Sequence, residues 1–173
     1  MKLIKILFFG LSVSLLFSCS PSGDIFTIPE YKEWKKPVNR VLDTPVPGHG
    51  ATFRIIYAND TAFESEIIEE DSGRKRVVMN EGSVVVKEVY KRRADINRAD
   101  PDLTIMVKDS KSPNSLDGWK YYMAMPGGKP QLITGRMCVG CHEAANEQHP
   151  YFDQNKEAIF RDYLFVKIAS EKK

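Results

Sequence analysis

Two cysteines and a histidine stand together at Cys138-Val139-Gly140-Cys141-His142. Thiols three positions apart can each add to a vinyl group of one porphyrin, and a histidine directly after the second is then delivered to the iron. The run therefore predicts one covalently attached c-type haem, held by Cys138 and Cys141, with His142 as proximal iron ligand. Other chemistries fit these residues less well. A thioredoxin-like C-x-x-C needs a strand–helix–strand setting, and nothing upstream alternates strands with long helices. Zinc could recruit Cys138, Cys141, His142 and His149, but adjacent Cys and His ligands converge poorly on one metal and a second C-x-x-C is missing. A disulfide across two intervening residues would be strained.

Haem attachment of this kind presupposes export, and the N-terminus supplies a signal for it. Lys2 and Lys5 precede an almost unbroken apolar run from Ile6 to Phe17. That run falls well short of the roughly 20 residues that span a bilayer, but it suits a signal-peptide core. Leu16-Phe17-Ser18-Cys19 resembles a bacterial lipobox, which predicts a lipoprotein-type signal peptide over 1–18 and lipidation of Cys19. A tether over 19–28 and a haem domain over 29–173 would follow. A simple secretory signal cut near Ser18 is the alternative. Either way the expected location is the periplasm, with the membrane reached only through a lipid anchor. The chain has three cysteines, so lipid takes one, haem takes two, and none remains for a disulfide. The 25 Lys and Arg outnumber the 23 Asp and Glu only by the two lysines of the signal. A near-neutral mature chain argues against nucleic acid as a partner.

The elements that must position this chemistry read as follows. Pro29–Lys36 can form a two-turn helix with Tyr31 and Trp34 on one face, stopped by Pro37. Thr44–Gly50 is a loop. Ala51–Ala58 reads as a strand with Phe53, Ile55 and Tyr57 on one face and Arg54 and Ile56 on the other. Asn59-Asp60-Thr61 looks like a helix cap, with a short helix through Phe63 and Ile67. Arg74–Met79 is a strand, Asn80-Glu81-Gly82 a turn, and the β-branched Ser83–Tyr90 the strongest strand of the chain. Lys91–Asp102 reads as a mobile loop, Leu103–Lys108 and the aromatic Gly118–Met125 as strands, and Asn155–Ile168 as a helix. The sum is an α+β domain: a β-rich body with a four- to five-stranded antiparallel sheet flanked by short helices.

Seven motifs in order then resemble the cytochrome P-460 and cytochrome c′-β family. They are Y-K-E-W at Tyr31, F-R-I-I-Y at Phe53, G-S-V-V-V-K-E at Gly82, M-V-K-D-S at Met106, G-W-K-Y-Y at Gly118, C-V-G-C-H, and D-Y-L-F at Asp162. Between Arg54 and Lys87 the chain is longer than the family pattern. The resemblance implies a small, usually homodimeric, periplasmic haem protein, with haem on one side of the sheet and a five-coordinate iron open on its distal side. P-460 members oxidise hydroxylamine and bond a lysine to a haem meso carbon, whereas c′-β members bind gases such as NO.

Carried over by motif, Lys87 matches the cross-linking lysine and Arg54 an arginine of the distal side. Strand pattern alone favours Lys87 as a solvated residue of a sheet face, although Val85 and Val89 share that face; Arg54 could equally be a surface charge or a propionate partner. Thr104 stands where hydroxylamine-oxidising members carry a glutamate. A carboxylate there can accept protons during oxidation, which a threonine does not do at neutral pH. The expectation is an exported mono-haem c-type cytochrome that handles small nitrogen species, together with a periplasmic redox partner. Whether it is an oxidoreductase or a non-catalytic NO-binding protein stays open. The competing class is a six-coordinate electron-transfer cytochrome with a methionine ligand. Met106, Met123 and Met125 are the candidates on strands, Met123 and Met125 reading better as core, and Met137 lies too close to Cys138 to reach across the ring.

Overall fold

Strict alternation of side chains between Phe53 and Ile133 builds one antiparallel sheet that separates two apolar cores. The computed structural model describes residues 26–46 and 48–171. The expected signal peptide, Cys19 as the expected lipidation residue and most of the expected tether lie outside them. Strands β1 (Phe53–Ala58), β4 (Val84–Tyr90), β5 (Asp102–Lys108), β6 (Trp119–Ala124) and β7 (Gln131–Ile133) form a five-stranded sheet in the order β1-β4-β5-β6-β7. All four pairings are antiparallel, so the expected β-rich body with its five-stranded antiparallel sheet is present.

The register decides which residues meet. Lys87 of β4 lies directly opposite Ile56 of β1 and Thr104 of β5. Thr104 in turn faces Met123 of β6, and Met106 faces Tyr121. Because side chains alternate across a strand, Arg54, Ile56, Val85, Lys87, Thr104, Met106, Tyr121 and Met123 share one face. The opposite face carries Ile55, Tyr57, Val86, Ile105 and Tyr122, which pack with Tyr31, Phe26 and Trp34. Glu88 is buried there at 2 % exposure. Its carboxyl accepts hydrogen bonds from the hydroxyls of Tyr31 at 2.9 Å, Tyr90 at 3.1 Å and Tyr57 at 3.3 Å. Burial, then Glu88, push the Tyr57 phenol up to about 12.

The segment between β1 and β4 builds a second, small sheet that packs into the core shared with the main sheet. Asn59 caps α1 (Asp60–Phe63), its side-chain oxygen accepting from Ala62 N–H at 3.1 Å. The helix ends at Phe63 and does not continue through Ile67. That residue belongs instead to β2 (Glu66–Glu69), which pairs with β3 (Lys75–Val78) and, in parallel, with β8 (Ser170–Glu171). Ile67 is buried and Ile68 exposed, a two-residue period that suits a strand and not a helix.

Three other expectations are corrected. Pro29–Lys36 makes only a single 3₁₀ turn at Tyr31–Glu33, after which Trp34 is extended with ψ 159°. The Lys91–Asp102 segment includes a 3₁₀ turn at Arg93–Asp95, and Asp102 already belongs to β5. Asn155–Ile168 is not helical. Asn155, Ala158, Asp162 and Tyr163 all have φ between 43° and 69°, a left-handed conformation that no α-helix tolerates. Side-chain hydrogen bonds hold the chain there. The fully buried Asn155 donates to the carbonyl oxygens of Ala145, Glu147 and Ile159 and accepts from Ile159 N–H. Asn146 Oδ1 accepts from Arg161 N–H at 3.1 Å and Tyr163 N–H at 2.9 Å. Ile159, Leu164, Val166 and Ile168 still enter the core that includes Ile56, Val85, Met106 and Trp119. The apolar residues of this segment are buried, but its geometry is that of a wrapped loop.

Candidate functional site

The attachment run folds as α2 (Met137–Glu143). Positions i, i+3 and i+4 share a helix face, so Cys138, Cys141 and His142 point the same way while Val139 is buried against the core. Both thiols are free. All three residues line a cavity of about 200 Å³ between α2 and the Lys87 face of the sheet. Arg54, Lys87 and Thr104 line the same cavity, so every site residue picked from the sequence of the haem domain is brought together in one place. Leu42, Val46, Met106, Ile133, Phe152 and Phe165 make the remaining wall largely apolar.

His142 is held from behind. Its Nδ1–H donates to the Tyr163 carbonyl oxygen at 2.8 Å, which leaves Nε2 as the nitrogen with a free lone pair. The left-handed Tyr163, pinned through Asn146, is what aims that carbonyl. Burial, then the charge of Lys87, pull the His142 pKa down to about 4, against the opposing effect of Tyr163. The imidazole is therefore neutral at pH 7, the form that binds metal. Tyr121 and Phe165 pack edge-on against its ring, with centroids at 5.7 and 5.6 Å.

On the sheet side, burial, then the neighbouring Arg54, lower the Lys87 pKa to about 7. That shift favours the uncharged, nucleophilic amine. Lys87 is only partly exposed and lines the cavity, so its side chain is turned toward the attachment helix and not fully into solvent. Arg54 is 3 % exposed and is likewise no surface charge. Its guanidinium donates to the Thr44 carbonyl oxygen, while its Nε is buried with no hydrogen-bond partner among the described residues. Tyr121 Oη is in the same condition. Buried donors without a partner are energetically costly.

Sequence reasoning missed His49. It lines the cavity from the Thr44–Gly50 loop, and Lys87 Nζ–H donates to its Nε2 at 2.8 Å. Burial, then Lys87, hold the His49 pKa near 3. The G-H-G setting was the available signal, since glycines flanking a histidine allow a tight turn that presents it. The methionines also differ from expectation. Met123 is 45 % and Met125 67 % exposed, so neither is core. Met106 is buried and lines the cavity, and the exposed Met137 sits at its rim. His149 is outside the cavity lining, packed against Tyr151 and Phe165.

Two thiols and one neutral imidazole on a single helix face, bordering an apolar cavity with unmatched donors, fit a covalently held haem. No curated protein matches the chain. A family model described as Cytochrome P460 matches residues 28–166, which includes the sheet, α2 and the Tyr163 carbonyl. The chain therefore belongs to the cytochrome P460 family, a membership that implies haem c and its iron.

Proposed function

We propose that this protein binds small nitrogen species, hydroxylamine or NO, at the face of a haem opposite His142. The observation that carries this reading is the placement of Lys87, Arg54 and Thr104 on adjacent strands across one cavity from Cys138, Cys141 and His142. The bound haem supplies an iron that exchanges electrons and takes a small ligand. Cys138 and Cys141 hold it through thioethers, and His142, oriented by Tyr163, donates Nε2 to the iron. Arg54 would offer a fixed cation beside the ligand. The apolar wall excludes water and strengthens that interaction.

Lys87, whose ammonium form burial and then Arg54 disfavour, would be the residue that bonds to a meso carbon of the haem when the group is in place. Thr104, directly opposite Lys87, can hydrogen-bond a ligand but puts no carboxylate base at this position.

The test is a ligand titration of protein matured with haem-attachment machinery. NO added to the ferrous form and hydroxylamine added to the ferric form should each give a saturable change in the haem absorption spectrum. Arg54→Leu should weaken both by about tenfold, as expected for loss of a charge-assisted hydrogen bond. Spectra unmoved by either ligand would overturn the reading.

A further inference from the structure

We propose that Lys108 and Asp162 are positioning residues for the proximal ligand. Their buried ion pair aims the Tyr163 carbonyl at His142 and so sets how strongly the imidazole donates to the haem iron. The inference rests on the reading above, in which His142 holds the iron of a haem bonded to Cys138 and Cys141. Lys108 Nζ donates to Asp162 Oδ2 at 2.6 Å, and the two side chains are only 12 % and 9 % exposed. Exposed ion pairs contribute little, but a buried one fixes both side chains, because breaking it strands a charge. Asp162 directly precedes Tyr163, whose carbonyl oxygen accepts from His142 Nδ1–H at 2.8 Å.

The backbone needs such a tie at this point. Asp162 at φ 51° and Tyr163 at φ 69° are consecutive left-handed residues that both carry side chains, a conformation each adopts at a cost. Asn146 Oδ1 secures the main chain on either side through Arg161 N–H and Tyr163 N–H. The ion pair secures the side chain between them. Lys108 is itself held where it can do this. It ends β5 opposite Trp119, and its ammonium lies over the fully buried Trp119 ring, 5.1 Å from the centroid. Gly118 leaves the room, since at φ 86° a Cβ there would stand 2.9 Å from Lys108 Nζ. Alternate residues of a strand share a face, so Lys108 follows Thr104 and Met106 on the cavity side of β5. One strand thus lines the cavity and, at its end, supports the residue that orients the ligand. A hydrogen bond to the second nitrogen raises the basicity of a metal-bound imidazole, and such outer contacts tune the potential of a haem iron. Loosening the pair should therefore weaken donation from His142 and favour ferrous iron.

The test compares full-length, haem-loaded proteins by resonance Raman spectroscopy of the ferrous iron–histidine stretch and by redox titration. Lys108→Met combined with Asp162→Asn removes both charges and so strands no buried ion. This double variant should keep its covalent haem, show the stretch at lower frequency, and favour the ferrous state about tenfold over wild type, a rise of about 59 mV in midpoint potential. Gly118→Ala, which crowds the ammonium without removing a charge, should move both readouts the same way to a smaller extent. Asp162→Asn alone keeps an acceptor oxygen for the ammonium and a residue type that tolerates the left-handed region, so it should stay close to wild type. Tyr31→Phe removes a buried hydrogen bond in the core on the other face of the sheet; it should lower the melting temperature and move neither readout. A stretch and potential unmoved in the double variant would overturn the proposal and reduce the ion pair to a contribution to stability. A shift as large in Asp162→Asn as in the double variant would overturn it too. Wild type without covalent haem, or an iron–histidine stretch that persists in His142→Gly, would instead overturn the reading of the site on which the proposal rests.

Discussion

Replacing Cys138 and Cys141 together with alanine should abolish covalent haem, read as complete loss of haem-dependent peroxidase staining on a denaturing gel. The two thiols are the free cysteines of the described residues, and both border the cavity. Alanine is the best helix former, so α2 should keep its shape and Val139 its buried position; the loss would then report on the bonds and not on the fold. Each single replacement should leave one thioether and retain stain at lower intensity. Haem that survives denaturation in the double variant would show that the attachment lies elsewhere and would remove the basis for His142 as proximal ligand.

Thr104→Glu should raise the steady-state oxidation of hydroxylamine, measured with a soluble dye as electron acceptor. A positioned general base contributes on the order of 10² to 10⁴ in rate, and the wild-type sheet has none at this position. The new carboxylate would lie directly opposite Lys87, and Arg54 lines the same cavity. A neighbouring cation keeps a carboxylate ionised and able to accept a proton. Space is available, since the cross-strand neighbour is the flexible, 45 % exposed Met123. Thr104→Gln, similar in size but no base, should leave turnover at the slow wild-type level. Brisk wild-type turnover, unchanged in Thr104→Ala, would mean that the proton acceptor is another residue.

How much of this was legible in the chain follows from the range of the forces involved. The β-branched, alternating run at Val84–Tyr90 declares a strand because its period is local, and that same period puts Val85 and Lys87 on one face. The attachment run declares itself because two bonds and one ligand come from five consecutive residues. The cap at Asn59 was also local. What could not be read depends on partners far along the chain. Asn155 is fixed by carbonyl oxygens at Ala145, Glu147 and Ile159, and those bonds override an apolar spacing that resembles a helix. His49 meets Lys87 across 38 positions, so its place in the site emerges only from the fold. The carbonyl of Tyr163 carries no sequence signal at all, since any residue has one.

On the proposed reading, the half formed by α2 and its supporting carbonyl would hold and orient the haem. The opposite half would set the chemistry, through a lysine whose pKa burial and Arg54 bring to about 7, a buried arginine and Thr104. Lys87 joins the two halves if it bonds to the macrocycle.

Proteolysis and peptide mapping of the haem-loaded wild type test that bond most directly. The account predicts that the peptide containing Lys87 is recovered in one species with the Cys138–His142 peptide, joined through a single haem. It also predicts that Lys87→Leu retains haem while its ferrous Soret band shifts toward the position of ordinary c-type haem. Recovery of Lys87 in an unmodified peptide, with haem on Cys138 and Cys141 alone, would contradict it.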